Sequence, residues 1–361
     1  MVLTSAVDIP IVMENNLMCE ELIIDIPLVM EPVQWRECCI YKVPKKLRQV
    51  NKEAYTPKLI SIGPFHHGGK DLRGEKELRD DENENVPRDM EMLKVRSFKD
   101  YCYRTGKCQK EIARIIEENE VKIRHCYAEI SKLNSEDFVK MVLVDSTFII
   151  ELFLRSSQEN EKRSQENGPF LKNDARKEDE KDYILSKPWL EYGIKQDLML
   201  LENQLPFFIL KVLYDQISYS GKNNKISFLD LACGYFSFPK SNIPDGKEVK
   251  HFTDLVPTLI VDDATEICFR NLMALKQCHY PSESYICNYI MLLDYLINTR
   301  EDVELFVENK IIINKLGSNE AVATMVNDLG LEIVENHSYY GEMAKSLMST
   351  MRIVTTIIWE F

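Results

Sequence analysis

One segment, residues 196–214, constrains the fold more than any other part of the chain. It reads QDLMLLENQLPFFILKVLY, and its apolar side chains would cover every face of a helix, whereas a surface helix carries one apolar stripe. The polar triplet Glu202-Asn203-Gln204 interrupts it just before Pro206. Proline is tolerated in the first turn of a helix but disfavours helical backbone at the preceding residue. We therefore predict a helix, a break over 202–205 and a second helix from Pro206, all enclosed by the rest of the chain.

The triplet itself has a structural interpretation and a chemical one. Glu202, Asn203 and Gln204 carry side chains that can bond backbone groups left unpaired by the break at Pro206. A carboxylate inside an apolar segment also invites a catalytic reading. We favour the structural role, in which the triplet holds the break in shape.

Composition bounds the class of protein. The chain has 361 residues, of which 45% are hydrophobic, so it can bury one large core or two ordinary ones. Its 58 acidic and 45 basic residues give a formal net charge of -13, which opposes binding to the phosphates of nucleic acid. A local basic run, formed by Lys42, Lys45, Lys46 and Arg48, leaves peripheral membrane contact open, although a solvated helix face is the favoured reading.

Cysteine spacing and hydropathy indicate an intracellular location. None of the ten cysteines forms a C-x-x-C pair, so we expect reduced thiols. The first residues, MVLTSAVDIPIVMENN, lack the basic start of a secretory signal, and no window reaches the roughly 18 to 20 uncharged apolar residues of a membrane span. We predict a cytoplasmic or membrane-peripheral protein without a transmembrane helix, metal or cofactor.

Periodicity predicts a mainly α fold, an irregular multi-helix bundle of one or two helical lobes with little or no β-structure. Residues 1–35 are expected to form an arm, 36–155 a first lobe, 156–181 a charged mobile insertion and 182–361 a second lobe. The segment 136–155 is a largely buried helix that Ser135 can cap, and 255–261 is a candidate strand.

The conspicuous candidates for chemistry are His66-His67 and Asp145. A histidine beside glycines on a loop can act as a base or ligand, but adjacent side chains on extended chain point to opposite sides. Asp145 lies within an apolar helix, where an ionised carboxylate needs a partner. We favour turn or packing roles for His66 and His67, and a basic group or helix terminus as the partner of Asp145. An enzyme that pairs His66 or His67 with a buried carboxylate such as Asp145 is the alternative.

Cysteines supply a further candidate cluster. Cys278-His279, with Cys268 and Cys287, matches no metal-binding spacing, so buried structural thiols are favoured over a metal site or a thiol catalyst. Cys38-Cys39 could accept a lipid, but ordinary thiols explain the pair equally well. The chain contains no phosphate-binding glycine loop, no G-x-S-x-G and no H-E-x-x-H.

Several long blocks, in order, resemble one plant family, the domain of unknown function 247, also termed uncharacterised protein family 0481. They include IYKVPKKLRQVNKEAYTPKLISIGPFHHG, CYAEISKLNSEDFVKMVLVDSTFIIELFLR, IKQDLMLLENQLPFFILKVL, HFTDLV, TEICFRNLMALKQCHY and YIMLLDYLINTREDVELFVENKIIINKLGSNEAV. The motif residues within these blocks are Tyr55, Pro57, Gly63, Pro64, Asp145, Asp197, Glu202, Asn203, Gln204, Pro206, Cys278 and His279.

The resemblance implies a plant-specific, largely helical protein with no established catalytic mechanism. It implies recognition or signalling at a membrane through a protein partner, in a process such as self-incompatibility, development or stress response. Three departures stand out: Ser146-Thr147 replaces the usual Gly-Cys, the chain is shorter between HFTDLV and PTLIVDDATE, and it ends at MRIVTTIIWEF, before the family's usual transmembrane helix.

Overall fold

The structure is a computed structural model, which describes residues 34–67, 86–166, 182–217, 226–236, 258–282 and 285–333. The chain divides into two compact units, Met1–Gln34 and Trp35–Phe361. Only Gln34 of the first unit is described, so the features below belong to the second. The predicted arm at 1–35 therefore falls almost wholly outside the described residues.

The prediction of a mainly α fold is confirmed. The described residues form helices, with one parallel pair of three-residue strands. The helices are α1 Lys45–Val50, α2 Val86–Thr105, α3 Gln109–Glu117, α4 Glu120–His125, α5 Ser135–Glu166, α6 Pro188–Leu198, α7 Phe207–Tyr214, α8 Phe228–Phe236, α9 Thr265–His279, α10 Tyr285–Leu296, α11 Arg300–Glu308 and α12 Asn319–Leu329, with a 3-10 turn at Glu53–Tyr55.

Helix α5 is the centre of the largest apolar cluster. It packs against α2, α3, α7 and α8, and Phe138, Val142 and Ile150 on it are completely buried. Its N-terminus is capped by Asn134, whose side-chain oxygen accepts from the amide of Asp137 at 2.8 Å. The prediction that Ser135 caps this helix is wrong, because the Ser135 hydroxyl donates to the Glu120 carboxylate instead.

A second apolar cluster lies among α9 to α12 and the two strands. Strand β1, Leu259–Val261, pairs in parallel with β2, Ile312–Asn314, with Leu259 opposite Ile312. The predicted strand over 255–261 thus corresponds to β1 in its last three residues. A third cluster joins residues 38–55 to Leu201 and Ala274, so the start of the second unit packs against the later helices.

The segment 196–214 adopts the predicted interrupted helix, but the break is longer than expected. Helix α6 ends at Leu198, the chain turns through 199–206, and α7 begins at Phe207 behind Pro206. The turn is buried at Leu200, Leu201 and Leu205.

The division at 156–181 stays a prediction, as do the boundaries of the other proposed domains. Helix α5 continues to Glu166, and the rest of that segment, 167–181, lies outside the described residues. The largest apolar cluster draws on both sides of it, from Ile40 to Leu154 and from Ile184 to Tyr235. Within the described residues, none of the helices is both long enough and apolar enough to cross a membrane.

Candidate functional site

Several residues singled out from the sequence converge on one segment, 58–63, which is buried from Ile60 to Gly63. Ile60 and Ile62 on it are 1% and 0% exposed, yet the segment forms no strand ladder. Buried backbone amides need partners, and an extended chain usually finds them in a neighbouring strand. Here the partners are side chains from α5, α6 and the α6–α7 turn.

Asp197 holds the first half of the segment. Its carboxylate accepts from the amides of Lys58, Leu59 and Ile60 at 2.9, 2.6 and 2.8 Å. The residue lies in the last turn of α6, where the helix dipole disfavours a negative charge. Burial raises the pKa of Asp197, and the three amide donors oppose that rise. Asp197 therefore replaces a missing strand partner at a position that is otherwise unfavourable for an acid.

Asn203 continues the same pattern at the turn. Its side-chain oxygen accepts from the Ile62 amide at 2.6 Å, and its NH2 group donates to the carbonyls of Ile60 and Asp197, both at 2.9 Å. The side chain is 0% exposed, and both its oxygen and its NH2 group are hydrogen-bonded. Asn203 thus joins the 58–63 segment to the C-terminus of α6.

Gln204 serves the end of α6 directly. Its NH2 group donates to the Leu198 carbonyl at 2.6 Å, one of the groups that a helix C-terminus leaves unpaired, and to the Leu200 carbonyl in the turn at 2.9 Å. The backbone carbonyl of Gln204 accepts from the Tyr127 hydroxyl at 3.0 Å. The triplet therefore forms hydrogen bonds to the end of α6 and to segments distant in the sequence. The sequence predicts instead that its partners are backbone groups beside Pro206.

Asp145 holds the far end of the segment together with Lys94. Its carboxylate lies 2.8 Å from the Lys94 ammonium and accepts from the Gly63 amide at 2.9 Å. Lys94 also donates to the Ser61 carbonyl at 2.5 Å and pairs with Glu91 at 2.8 Å. Burial raises the pKa of Asp145. Burial also opposes charge on Lys94, but the two carboxylates outweigh it and leave the pKa of the lysine raised.

This arrangement requires a glycine at position 63. Its φ of 73° lies in the left-handed region, and an added Cβ would collide with the Gln204 carbonyl oxygen. The close approach of these two backbones lets Asp145 and Asn203 reach successive amides of the segment. A side chain at position 63 is incompatible with both features.

Glu202 points to a different partner, the start of the second unit. Its carboxylate accepts from the Val43 amide at 2.6 Å and lies 2.5 Å from the Arg48 guanidinium. His66 Nε2 is 3.3 Å away, within ion-pair range but outside hydrogen-bond alignment. Burial works against the charge, but His66, Arg48 and the Val43 amide hold the pKa of Glu202 below its ordinary value.

The remaining motif residues surround this network. Tyr55 and Pro57 are buried beside the segment, Pro64 is half-buried and Pro206 is buried at the start of α7. His67 is exposed. His279 Nδ1 lies 2.8 Å from the Tyr41 hydroxyl, and Cys278 is half-buried against the third apolar cluster.

The contacts bear on the enzymatic alternative. Asp145 is engaged by Lys94 and Gly63, and the acid that His66 approaches is Glu202. These contacts do not test catalysis, so an enzyme that uses His66 or His67 with a buried carboxylate such as Asp145 stays a prediction. Among the described residues, no group of three or more His, Cys, Asp and Glu side chains is arranged to hold a metal ion.

Sequence reasoning missed several members of the network, chiefly Lys94, Tyr127 and Asn271. Lys94 lies on the face of α2 that carries Met90, Ser97 and Tyr101, all buried, so its spacing was the available signal. Asn271 accepts from the Leu201 amide at 2.9 Å and donates to the Ala54 carbonyl at 2.8 Å, but nothing local distinguishes it from an ordinary helical asparagine.

Comparison with known proteins identifies the group to which this arrangement belongs. A family model described as DUF247, plant protein of unknown function, matches residues 40–257 and 255–360. The chain belongs to the DUF247 family. The two matched blocks overlap at 255–257, within the region where the sequence is expected to be shorter than the family pattern.

Two relatives from Arabidopsis thaliana match this DUF247 protein. UPF0481 protein At3g47200 is 26% identical over 388 residues, which cover 85% of this chain and 75% of the relative. Putative UPF0481 protein At3g02645 is 27% identical over 172 residues, which cover 48% of this chain and 26% of the relative. No solved structure matches.

Proposed function

We propose that this DUF247 protein is a plant interaction protein, a helical scaffold that binds a protein partner through a groove beside α2. The partner contact would serve signalling, in a process such as self-incompatibility, development or stress response. No catalytic activity is part of the proposal. The observation that carries it is the groove itself, which is lined by exposed apolar side chains.

The groove has an apolar floor that is open to solvent. Its volume is about 780 Å³, and Met92, Val95 and Tyr183 on it are 68%, 46% and 44% exposed. An adjoining cavity of about 590 Å³ continues between α2, the end of α5 and residues 182–186. Exposed apolar side chains that cluster in this way are typical of interaction sites.

The position of the groove is the second support. Helix α2 begins at Val86, directly after the charged segment 70–85, and Asp182 follows the charged segment 167–181. Arg155 on α5 forms ion pairs with Asp182 at 2.9 Å and with Asp100 on α2 at 3.6 Å. The groove therefore lies where two charged stretches of the sequence leave the described fold.

Charge determines the kind of partner. Arg96 and Lys99 line the groove without an ion pair among the described residues, and Lys187 lies over the Tyr183 ring at 3.2 Å. Two acidic residues also line the groove, Asp89 and Glu91, and Glu91 pairs with the buried Lys94. The matching partner segment presents an apolar side chain flanked by carboxylates, because such a segment fills the floor and neutralises the cations.

The test uses a photo-crosslinking amino acid at position 95 of the full chain in plant extract, with position 305 as the control. Leu305 is 59% exposed on α11. We expect one protein to be captured at position 95 only, and its purified form to bind the chain directly. Arg96→Glu/Lys99→Glu should weaken that binding at least about tenfold. Lys110→Glu, an exposed change on α3, should leave it unaltered. Equal capture at both positions, or binding that ignores the double reversal, contradicts the proposal.

Peripheral membrane contact through the basic run near α1 is a separate proposal. Arg48 pairs with the buried carboxylate of Glu202, whereas the partner of Lys46 among the described residues is Glu332, at 3.9 Å. The informative variant is therefore Lys45→Glu/Lys46→Glu, which spares the interior. Sedimentation with anionic vesicles should fall in this variant, and unchanged sedimentation removes the membrane proposal.

A further inference from the structure

Two cysteines meet where the beginning of the second unit crosses the end of α4. The amides of Cys39 and Ile40 both donate to the Cys126 carbonyl at 2.9 Å, and the Ala128 amide returns a bond to the Ile40 carbonyl at 2.9 Å. Ile40 and Tyr127 form a parallel bridge. Cys39 and Cys126 are the residues immediately before that pair. Cys126 ends α4 with helical backbone, so the two cysteines lie next to each other where residues 38–40 meet the end of that helix.

The two thiols differ in exposure and acidity. Cys39 is exposed, whereas Cys126 is buried and its Sγ lies 3.3 Å from the Lys122 carbonyl. The side chains hydrogen-bond to each other, which lowers the pKa of Cys39 and raises the pKa of Cys126. The exposed member is therefore the better source of thiolate, the form that attacks disulfides.

We propose that Cys39 and Cys126 form a redox modification site that reacts with a low-molecular-weight disulfide and closes into an intramolecular disulfide. The 2.9 Å bond from the Cys39 amide to the Cys126 carbonyl places the two Cα atoms close together, as a disulfide requires. The site lies outside the polar network around 58–63 and outside the groove beside α2.

The reaction proceeds by two thiol–disulfide exchanges, for which oxidised glutathione is the oxidant. The Cys39 thiolate attacks one glutathione sulfur, forms a mixed disulfide and releases one glutathione thiolate, which takes up a proton. Cys126 then loses its proton to solvent, attacks the Cys39 sulfur and releases the second glutathione. The two cysteines together lose two electrons, which reduce one glutathione disulfide to two glutathione molecules.

Closure would fix the first residues of the second unit to the end of α4. Trp35 already stacks on His125, with ring centroids 3.7 Å apart. A Cys39–Cys126 bond adds a covalent link four residues further along the chain. Because the link closes a long loop, it should stabilise the fold by restricting the unfolded chain.

The experiment treats the full chain with oxidised glutathione and sequences its non-reduced tryptic peptides by mass spectrometry. We expect a link between Cys39 and Cys126 and a rise in Tm on the order of 5 °C, reversed by dithiothreitol. Cys126→Ser should instead retain glutathione on Cys39, and Cys39→Ser should acquire neither modification.

Two further cysteines supply controls. Cys108→Ser, a change at another exposed thiol, should preserve both the link and the Tm rise. Cys38 and Cys39 fall in the same tryptic peptide. Cys38→Ser should preserve the link, which would assign the disulfide to Cys39. A stable glutathione adduct on Cys39 in the unmutated chain, a link to a different cysteine, or oxidation without a change in Tm would overturn the proposal.

Discussion

Replacing Asn203 by alanine should destabilise the protein strongly. The change leaves the Ile62 amide and the Ile60 carbonyl buried without their side-chain partner. The Asp197 carbonyl is less affected, because it also accepts from the Leu200 amide at 3.3 Å. An orphaned buried group costs about 1–3 kcal/mol, so two of them place the loss in the free energy of unfolding at about 2–6 kcal/mol.

The assay is urea unfolding followed by circular dichroism, with the free energy of unfolding extrapolated to water. Asn309→Ala is the matched control, because the Asn309 side chain donates to the Leu305 carbonyl at 2.8 Å in an exposed position. Water can replace that bond, and we expect a loss within about 0.5 kcal/mol.

The result that would refute this reasoning is a loss below about 1 kcal/mol for Asn203→Ala, the size of one ordinary hydrogen bond. Such a result would mean that water enters the turn or that the 58–63 segment shifts to find other partners. Unchanged stability combined with abolished partner binding would instead place Asn203 in a recognition surface.

Three further perturbations test other members of the network. Gly63→Ala should lower the urea midpoint more than Gly106→Ala does, since both positions have positive φ but an added Cβ meets a backbone carbonyl oxygen only at Gly63; equal shifts would deny the close approach. Lys94→Met should cost about 3–5 kcal/mol in the same assay by leaving a buried carboxylate unpaired, and a loss below about 1 kcal/mol would show that this acid is neutral in the folded protein. The folded-state pKa of Glu202 is lowered, so its stabilising effect is present above its ordinary pKa of 4.5 and fades as the pH falls. The Tm difference between the unmutated chain and Glu202→Gln should therefore shrink from pH 7 to pH 3.5, and a constant difference would contradict the assigned charge.

Local features of the sequence predicted the elements well where the local chemistry is strong. Thr299 and Asp302 form a reciprocal cap at the start of α11, at the three-residue spacing that such a cap has in a sequence. Pro206 likewise marks the start of α7, because the backbone angles that proline adopts are compatible with the N-cap position of a helix. The error at Ser135 arose between two adjacent residues that can both cap, and the choice was decided by Glu120, which lies in another helix.

The bonding of the site could not be predicted to the same degree. Asp145 and Asn203 were recognisable as polar residues in apolar surroundings, but their partners lie 82 and 141 positions away at Gly63 and Ile62. Periodicity carries no information about contacts at such separations. Lys94 was hidden for another reason, because a single lysine on a charged helix is usually solvated.

The 58–63 segment also sets an order of events during synthesis. Ile62 leaves the ribosome 141 residues before Asn203, its amide partner. At about 5–20 residues per second, that interval lasts roughly 7–28 seconds. During this time the segment exposes apolar side chains and unpaired amides, as an aggregation-prone strand does. The nascent chain is therefore expected to need chaperone protection until the α6–α7 turn has emerged, however quickly the early helices form.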